Sequence, residues 1–151
     1  MADVPKDIGG ELEFDSSILA EEYAGTADVD GDGANFNPDG TNQQFLSGAA
    51  YCLVSGGTED DEIVFVLQDS SDDGDSDDFT DITDQDGERF EVTVVADGDG
   101  EGEGRIDLTN AQFERYVRVI VDDDASDLEG ADADVHAVLV KGGAMQVPVD
   151  R

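Results

Sequence analysis

Residues 62–82, EIVFVLQDSSDDGDSDDFTDI, decide the fold of this chain. The stretch begins as a β-strand whose side chains alternate between two faces at period two. Both faces are apolar: one carries Ile63, Phe65 and Leu67, and the other carries Val64 and Val66. A strand with two apolar faces is predicted to lie at the centre of a sheet and to be covered on both sides.

The second half of the same stretch is an acidic turn. After Gln68 the chain consists mainly of Asp, Ser and Gly, until Phe79 and Ile82 supply two apolar anchors for a short return. Each unpaired carboxylate would cost several kcal/mol to desolvate. We therefore expect residues 69–78 to form a solvated loop.

Similar apolar runs, separated by turns rich in Gly and Asp, lie on both sides of this stretch. Strands are predicted at residues 45–55, 62–68, 90–96, 105–108, 116–121 and 135–140. Six to eight short strands with such turns predict an all-β fold, an antiparallel β-sandwich. Long antiparallel crossings favour a jelly roll, although the pattern alone does not distinguish it from an immunoglobulin-like topology.

The N-terminal segment is less regular than the rest. We interpret residues 1–44 as an N-terminal arm and acidic loop and residues 45–151 as the β-sandwich, the two packing together as one domain. Leu12 and Phe14 alternate with acids, as in an edge strand, whereas residues 16–23 have the spacing of one or two helical turns.

The formal net charge of −33 arises from 40 Asp and Glu against 7 Lys and Arg. Intrinsic disorder and adaptation to molar salt both produce such a charge. Because 38% of the residues are hydrophobic and lie in period-two runs, we favour a folded, halophilic protein. At about 1 M salt the Debye length is about 3 Å, so the acidic surface repels itself only weakly.

The same charge bears on partners and location. Nucleic acid and anionic membranes are recognised by basic surface, so neither is expected as a partner. No apolar run is long enough for a membrane span, and residues 1–7 lack the features of a Sec signal peptide. The single cysteine, Cys52, excludes an internal disulfide and is interpreted as a buried thiol.

One candidate cation site lies in the loop of residues 26–44. Asp28, Asp30 and Asp32 occupy alternate positions before Gly33, and Asp39 falls at the twelfth position, as in a calcium loop. That position holds Asp where an EF-hand has Glu, and no convincing pair of helices flanks the loop. Two interpretations stay open: a solvated acidic loop, or a site for Ca²⁺ or Mg²⁺.

No catalytic constellation can be assembled from the sequence. Carboxylate pairs are too numerous to be informative, and no Ser or Cys is placed convincingly beside the only histidine, His136. Residues 97–104, DGDGEGEG, are predicted to be a flexible turn and lack the Lys, Ser or Thr of a phosphate-binding P-loop. We expect the protein not to be an enzyme and to act through its surface and its assembly.

Several short motifs occur in an informative order. LQDS, residues 67–70, is followed after the acidic turn by FTDI, residues 79–82; RYVRV occupies residues 115–119, and the last predicted strand ends in Lys-Gly-Gly. Over roughly residues 49–145, this order resembles the pattern in small jelly-roll decoration (cement) proteins on the capsids of tailed viruses. The resemblance implies a homotrimer that binds the major capsid protein on the outer surface of a virion assembled in the host cytoplasm.

The few cations are predicted to lie at a subunit contact. Arg105, Arg115 and Arg118 are close in sequence and expected near one strand pair, together with Tyr116. We predict that they pair with acids across a subunit interface; the alternative is that they form surface pairs within one chain.

Two functions follow as hypotheses. The first is a virion structural protein that decorates and stabilises the capsid shell of a tailed virus of a halophilic host. The alternative is a secreted or cell-surface binding module, a β-sandwich stiffened by calcium.

Overall fold

The structure, a computed structural model, describes residues 13–36, 43–108 and 113–146. Within these ranges the chain forms strands and no helices, so no membrane-crossing helix occurs there. The strands are β1 (Glu13–Tyr23), β2 (Val29–Asp30), β3 (Ala34–Asn35), β4 (Gln43–Ser55), β5 (Glu62–Ser70), β6 (Thr80–Asp81), β7 (Glu91–Val95), β8 (Gly102–Asp107), β9 (Tyr116–Val121) and β10 (Ala133–Gln146).

These strands make two antiparallel sheets that pack face to face. Sheet A has the order β1–β10–β4–β8, and sheet B has the order β2–β9–β5–β6, with β3 also pairing with β9 and β7 with β5. The prediction of an all-β, antiparallel β-sandwich is confirmed. The jelly roll stays a prediction. The chain crosses between the two sheets repeatedly, after β1, β3, β4, β7, β8 and β9.

The main core lies between the sheets and is filled from every long strand. Its members are fully or almost fully buried, and they include Ile18, Tyr23, Cys52, Val54, Ile63, Phe65, Leu67, Val94, Ile106, Val117, Val119, Val121, Val135, Ala137 and Leu139. In β9, Val117, Val119 and Val121 face this core, as the period-two spacing of apolar residues in the predicted strand 116–121 indicates. Period-two alternation places these residues on one side of each sheet, so their burial fixes the register of the strands.

Strand β5 is buried on both faces, as its sequence predicts. Ile63, Phe65 and Leu67 belong to the main core. Val64 and Val66 point to the other side and form a second buried cluster with Ile120 of β9. The strand is hydrogen-bonded to β9 along one edge and to β7 and β6 along the other, which makes it central to sheet B.

The helical turns expected at residues 16–23 are wrong, because this segment is part of β1. The strand pairs with β10 at the edge of sheet A, as the alternation around Phe14 indicated. Its register shifts between Ser16 and Ile18 and again between Ile18 and Glu21, and Ala20 has a φ of 50°. Such irregularities disturb period-two alternation, so Ile18 and Tyr23 are both buried although they are five residues apart, and the segment lacks the pattern that marks a strand. Leu12 lies outside the described residues.

The glycine-rich stretch at residues 97–104 is also more ordered than predicted. Only its first part is a turn, and Gly102 and Gly104 belong to β8. An added Cβ at Gly104 would lie 2.9 Å and 3.0 Å from methyl groups of Val92 and Val94. The glycines therefore allow β8 of sheet A to approach the valines of β7.

This close approach gives a test of the packing between β7 and β8. Gly104→Ala should lower the free energy of unfolding by about 1–3 kcal/mol, because the stiff valine side chains must move to accommodate the methyl group. Gly98→Ala is the matched control, since its Cβ would meet nothing closer than Glu59 at 3.9 Å. Thermal unfolding in molar salt measures both variants, and equal melting temperatures would contradict the packing described here.

Candidate functional site

The centre of the outer face of sheet B is covered by the chain itself, and Val95 at the β7 edge stays exposed. Val64, Val66 and Ile120 are buried there without any partner molecule. The Arg89 guanidinium binds Asp122 at 2.7 Å and Glu91 at 2.5 Å. Glu91 pairs with Val66 on the β7 side of β5, and Asp122 follows β9 on its other side. Arg89 therefore bridges across the outer side of β5.

The arginines predicted at a subunit contact do not lie together. Arg105 is on β8 in sheet A, whereas Arg118 is on β9 in sheet B, so the expectation of one strand pair is wrong. Arg105 binds Asp107 of its own strand at 2.6 Å. Arg118 donates to Gln68 at 2.8 Å and 3.0 Å and lies over the Phe79 ring.

The remaining two residues of that predicted interface are also engaged within the chain. Arg115 donates to Asn35 at 3.2 Å and lies over the ring of Tyr116, which is half-buried. Ile120, on the same face of β9 as Tyr116 and Arg118, is already buried within one chain. The role of these side chains in a subunit interface stays a prediction.

The described aspartates of the candidate cation site are engaged separately. Asp28 accepts a hydrogen bond from the Asp123 amide at 2.8 Å, Asp30 lies 3.7 Å from the Arg118 guanidinium, and Asp32 is exposed. No group of three or more His, Cys, Asp or Glu that could hold a metal is found among residues 13–36, 43–108 and 113–146. Asp39 lies outside those ranges, so the Ca²⁺ or Mg²⁺ site stays a prediction.

The outer face of sheet A is not closed in this way. Directly paired residues share a face, so Tyr51 of β4 lies beside Val138 of β10, and Leu53 lies beside His136. Phe14 of β1 is 67% exposed, and Tyr51 and Leu53 are each 44% exposed. We call this surface the open face; it consists of Phe14, Ser16, Tyr51, Leu53, His136, Val138 and Val140.

None of the residues that define the open face is acidic, although the chain has 40 Asp and Glu. Acids begin at its border, where Glu103 and Asp107 lie on β8 and Asp134 lies on β10. Arg105 crosses this border and places its guanidinium 5.6 Å from the centre of the Tyr51 ring. An apolar centre with a charged rim is the usual anatomy of a protein-binding surface.

The sequence analysis missed the open face, although a signal for it is present. Tyr51 and Leu53 alternate with Cys52 and Val54, so β4 is apolar on both faces just as β5 is. We predicted burial of both strand faces from this pattern for β5 but not for β4. Which of the two strands is covered depends on the rest of the chain, and the local pattern does not contain that information.

Cys52 and His136 have no catalytic arrangement around them. Cys52 is fully buried and free, as predicted, and burial raises the pKa of its thiol to about 12, so it is an unreactive thiol at neutral pH. His136 is half-buried on the open face and alternates with the inward Val135 and Ala137. What the described arrangement supports chemically is binding; absence of enzymatic activity stays a prediction.

The acidic turn after β5 is an ordered loop rather than a merely solvated one. Ser70 is fully buried, and its hydroxyl donates to the carbonyl of Asp77 at 2.6 Å. The same oxygen accepts from the amides of Asp72 and Gly74 at 3.2 Å and 2.9 Å. The loop therefore closes around one buried hydroxyl group, while most of its carboxylates stay at the surface.

The carboxylates of this loop differ in pKa because their hydrogen bonds differ. Amides of Asp77 and Ser76 donate to Asp72 and lower its pKa, and the Ser71 amide does the same for Asp77. Glu114, from the segment before β9, shares a hydrogen bond with the Asp77 carboxyl group, which raises the pKa of Glu114 above 4.5. The loop is thus stabilised by ionised Asp72 and Asp77, whereas Glu114 adds to its stability only when acidification protonates it.

These shifts predict a pH dependence. A raised pKa means that the folded state binds the proton more tightly than the unfolded state does. The contribution of Glu114 to the free energy of unfolding therefore grows as the pH falls from 7 towards about 4.5. The contributions of Asp72 and Asp77 are present above about 3.8 and are lost as the pH falls through their lowered pKa values. Glu114→Gln should therefore raise the melting temperature at pH 7. On acidification, the melting temperature of this variant should increase less than that of the wild type.

The matched control for this prediction is Glu88→Gln, which removes the same charge from another exposed turn. The measurement is the melting temperature of each variant between pH 7 and pH 4 at fixed salt. If the two variants follow the same pH profile, the carboxyl pair of Glu114 and Asp77 does not contribute as described.

Comparison with known proteins gives no relative: no family model, no curated protein and no solved structure matches this chain.

Proposed function

We propose that this protein is a virion structural protein that decorates and stabilises the capsid shell of a tailed virus of a halophilic host. The observation that carries the proposal is the open face of sheet A. Its exposed Phe14, Tyr51 and Leu53 form an apolar patch that Glu103, Asp107 and Asp134 border, on a chain whose net charge is −33. Exposed apolar surface of this kind is stabilised when a partner covers it, which favours an assembly role.

Three of the four motifs that resemble those of decoration proteins are neighbours in the fold, whereas the fourth, Lys-Gly-Gly at residues 141–143, lies on β10 in sheet A. Residues 67–70 end β5 and pair with β9, which contains most of RYVRV; Gln68 is opposite Arg118, and Ser70 is opposite Tyr116. Gln68 also pairs with Asp81 of the FTDI motif. Motifs that are distant in sequence thus make up one contiguous part of sheet B, which supports reading them together rather than as separate coincidences.

The proposed mechanism is stabilisation by binding. A protein that binds the assembled shell of the major capsid protein, and not its separated subunits, shifts the equilibrium towards the shell. The protein would lie on the outer capsid surface as a homotrimer, as the resemblance implies. Its acidic surface would keep it away from the packaged nucleic acid, which carries charge of the same sign.

The proposal predicts that a charge placed on the open face prevents binding to capsids. Tyr51→Glu should weaken binding by about tenfold or more, because a carboxylate would be desolvated in the contact. Val95→Glu is the matched control: Val95 is 50% exposed, but it lies on β7 in sheet B. Co-sedimentation with capsids that lack the protein, in molar salt, measures occupancy.

The same samples test the homotrimer. Analytical ultracentrifugation in molar salt should give a mass of three chains of 16.0 kDa each, in solution or on the capsid.

The proposed function would be refuted if the wild-type protein bound no capsid of the halophilic tailed virus that encodes it. Equal binding of Tyr51→Glu and Val95→Glu would remove the open face as its basis.

A further inference from the structure

A groove lies at one end of the open face and encloses about 630 Å³. It is bounded by the irregular part of β1, by β4 and β10, and by the turn between β7 and β8. Its lining includes Ala20, Leu53 and His136. Leu53 is 44% exposed, so the groove has apolar surface continuous with the rest of the open face.

Four carboxylates from three parts of the chain line the same groove: Asp97 and Glu101 from the turn before β8, Glu103 from β8, and Asp134 from β10. No Lys or Arg lies among the groove residues. Asp97 accepts hydrogen bonds from the amides of Asp99 and Glu101, which hold the turn in place. The groove therefore combines apolar lining from Leu53 and Ala20 with four carboxylates, and its described lining contains no cation.

We propose that this groove binds an arginine or lysine side chain carried by an extended segment of a partner protein. The methylene stem of such a side chain packs on Leu53 and Ala20, and its charged end reaches the carboxylates. In molar salt an exposed ion pair alone is strongly screened. The apolar lining supplies the part of the interaction that screening does not weaken.

A second copy of this chain fits the groove poorly. It would bring another net charge of −33 towards four carboxylates. In the described part of the chain, its exposed Arg105 already binds Asp107, and Arg89 and Arg118 are engaged across sheet B. Charge complementarity thus favours a different protein. The inference rests on the proposed function only in naming the capsid protein as the carrier of the segment.

The test uses the full-length protein in molar KCl and fluorescent seven-residue peptides of the sequence Ser-Thr-Val-X-Val-Thr-Ser. Peptides with X as Arg or Lys should bind about tenfold more tightly than those with X as citrulline or Glu, because only the former bring a positive charge to the carboxylates. Glu103→Gln combined with Asp134→Asn should remove most of that preference. Asp78→Asn combined with Asp86→Asn is the control, with the same change in charge at exposed sites outside the groove.

Three results would overturn the inference: no binding of any peptide, equal affinity for Arg and citrulline peptides, or equal loss in both double variants. Spermidine that competes as effectively as the Arg peptide would also overturn it, because the groove would then bind a free amine rather than a protein segment. Capsid binding that survives Glu103→Gln with Asp134→Asn would refute this inference and leave the decoration role intact. If the protein bound the Arg peptide selectively but did not bind capsids, this inference would stand and the decoration role would be refuted.

Discussion

The mutual repulsion of 40 acidic side chains is the constraint on which the rest of this structure depends. A strand such as β5 can be buried on both faces only if the carboxylates are moved to the turns around it. Repulsion between two exposed charges is about 1 kcal/mol at 4 Å in water, but it accumulates over many pairs. A domain is stable by only about 5–15 kcal/mol, so this sum is comparable with the total.

Asp61 shows the condition under which the chain does bury a carboxylate. It is fully buried, and it accepts hydrogen bonds from the amides of Thr58, Glu129 and Gly130 at 2.7 Å, 2.7 Å and 3.3 Å. These donors replace water and join the turn before β5 to the loop before β10. Ser70 has the same function at the other end of β5. Both ends of the central strand are therefore fixed by buried polar atoms.

The two outer faces of the sandwich differ in a way that gives the fold its functional meaning. On sheet B, the apolar Val66 and Ile120 are buried within the chain, and Arg89 bridges acids on either side of β5. On sheet A, Tyr51 and Leu53 remain exposed. A chain able to bury one outer face but not the other retains surface for a partner. The acids on that side, Glu103, Asp107 and Asp134, lie at the border of the surface, so a partner contacts apolar side chains at its centre.

Much of this fold could be predicted from the sequence, because burial imposes period-two alternation on each strand. The inward residues of β5 and β9 were identified in this way, and so was the β-sandwich. Prediction failed where alternation is interrupted, as at Ile18 in the irregular part of β1, or where glycine replaces an apolar residue, as at Gly104.

The candidate site was harder to predict than the fold. Arg105 and Arg118 are close in sequence but lie in different sheets, since sheet membership depends on pairing between distant strands. Likewise, no local pattern distinguishes buried Asp61 from its exposed neighbour Asp60. Which residues share a face, and which face stays open, emerges only when the strands are assembled.

We propose that core burial holds this sandwich together against an acidic surface whose self-repulsion is tolerable only in molar salt. Far-ultraviolet circular dichroism during dialysis from molar to 0.01 M salt tests it most directly, because the Debye length then grows from about 3 Å to about 30 Å. The account predicts that the strand spectrum is lost at low salt and partly recovers when the pH approaches the sequence pI of about 4.1. An unchanged spectrum at 0.01 M salt and neutral pH would contradict it.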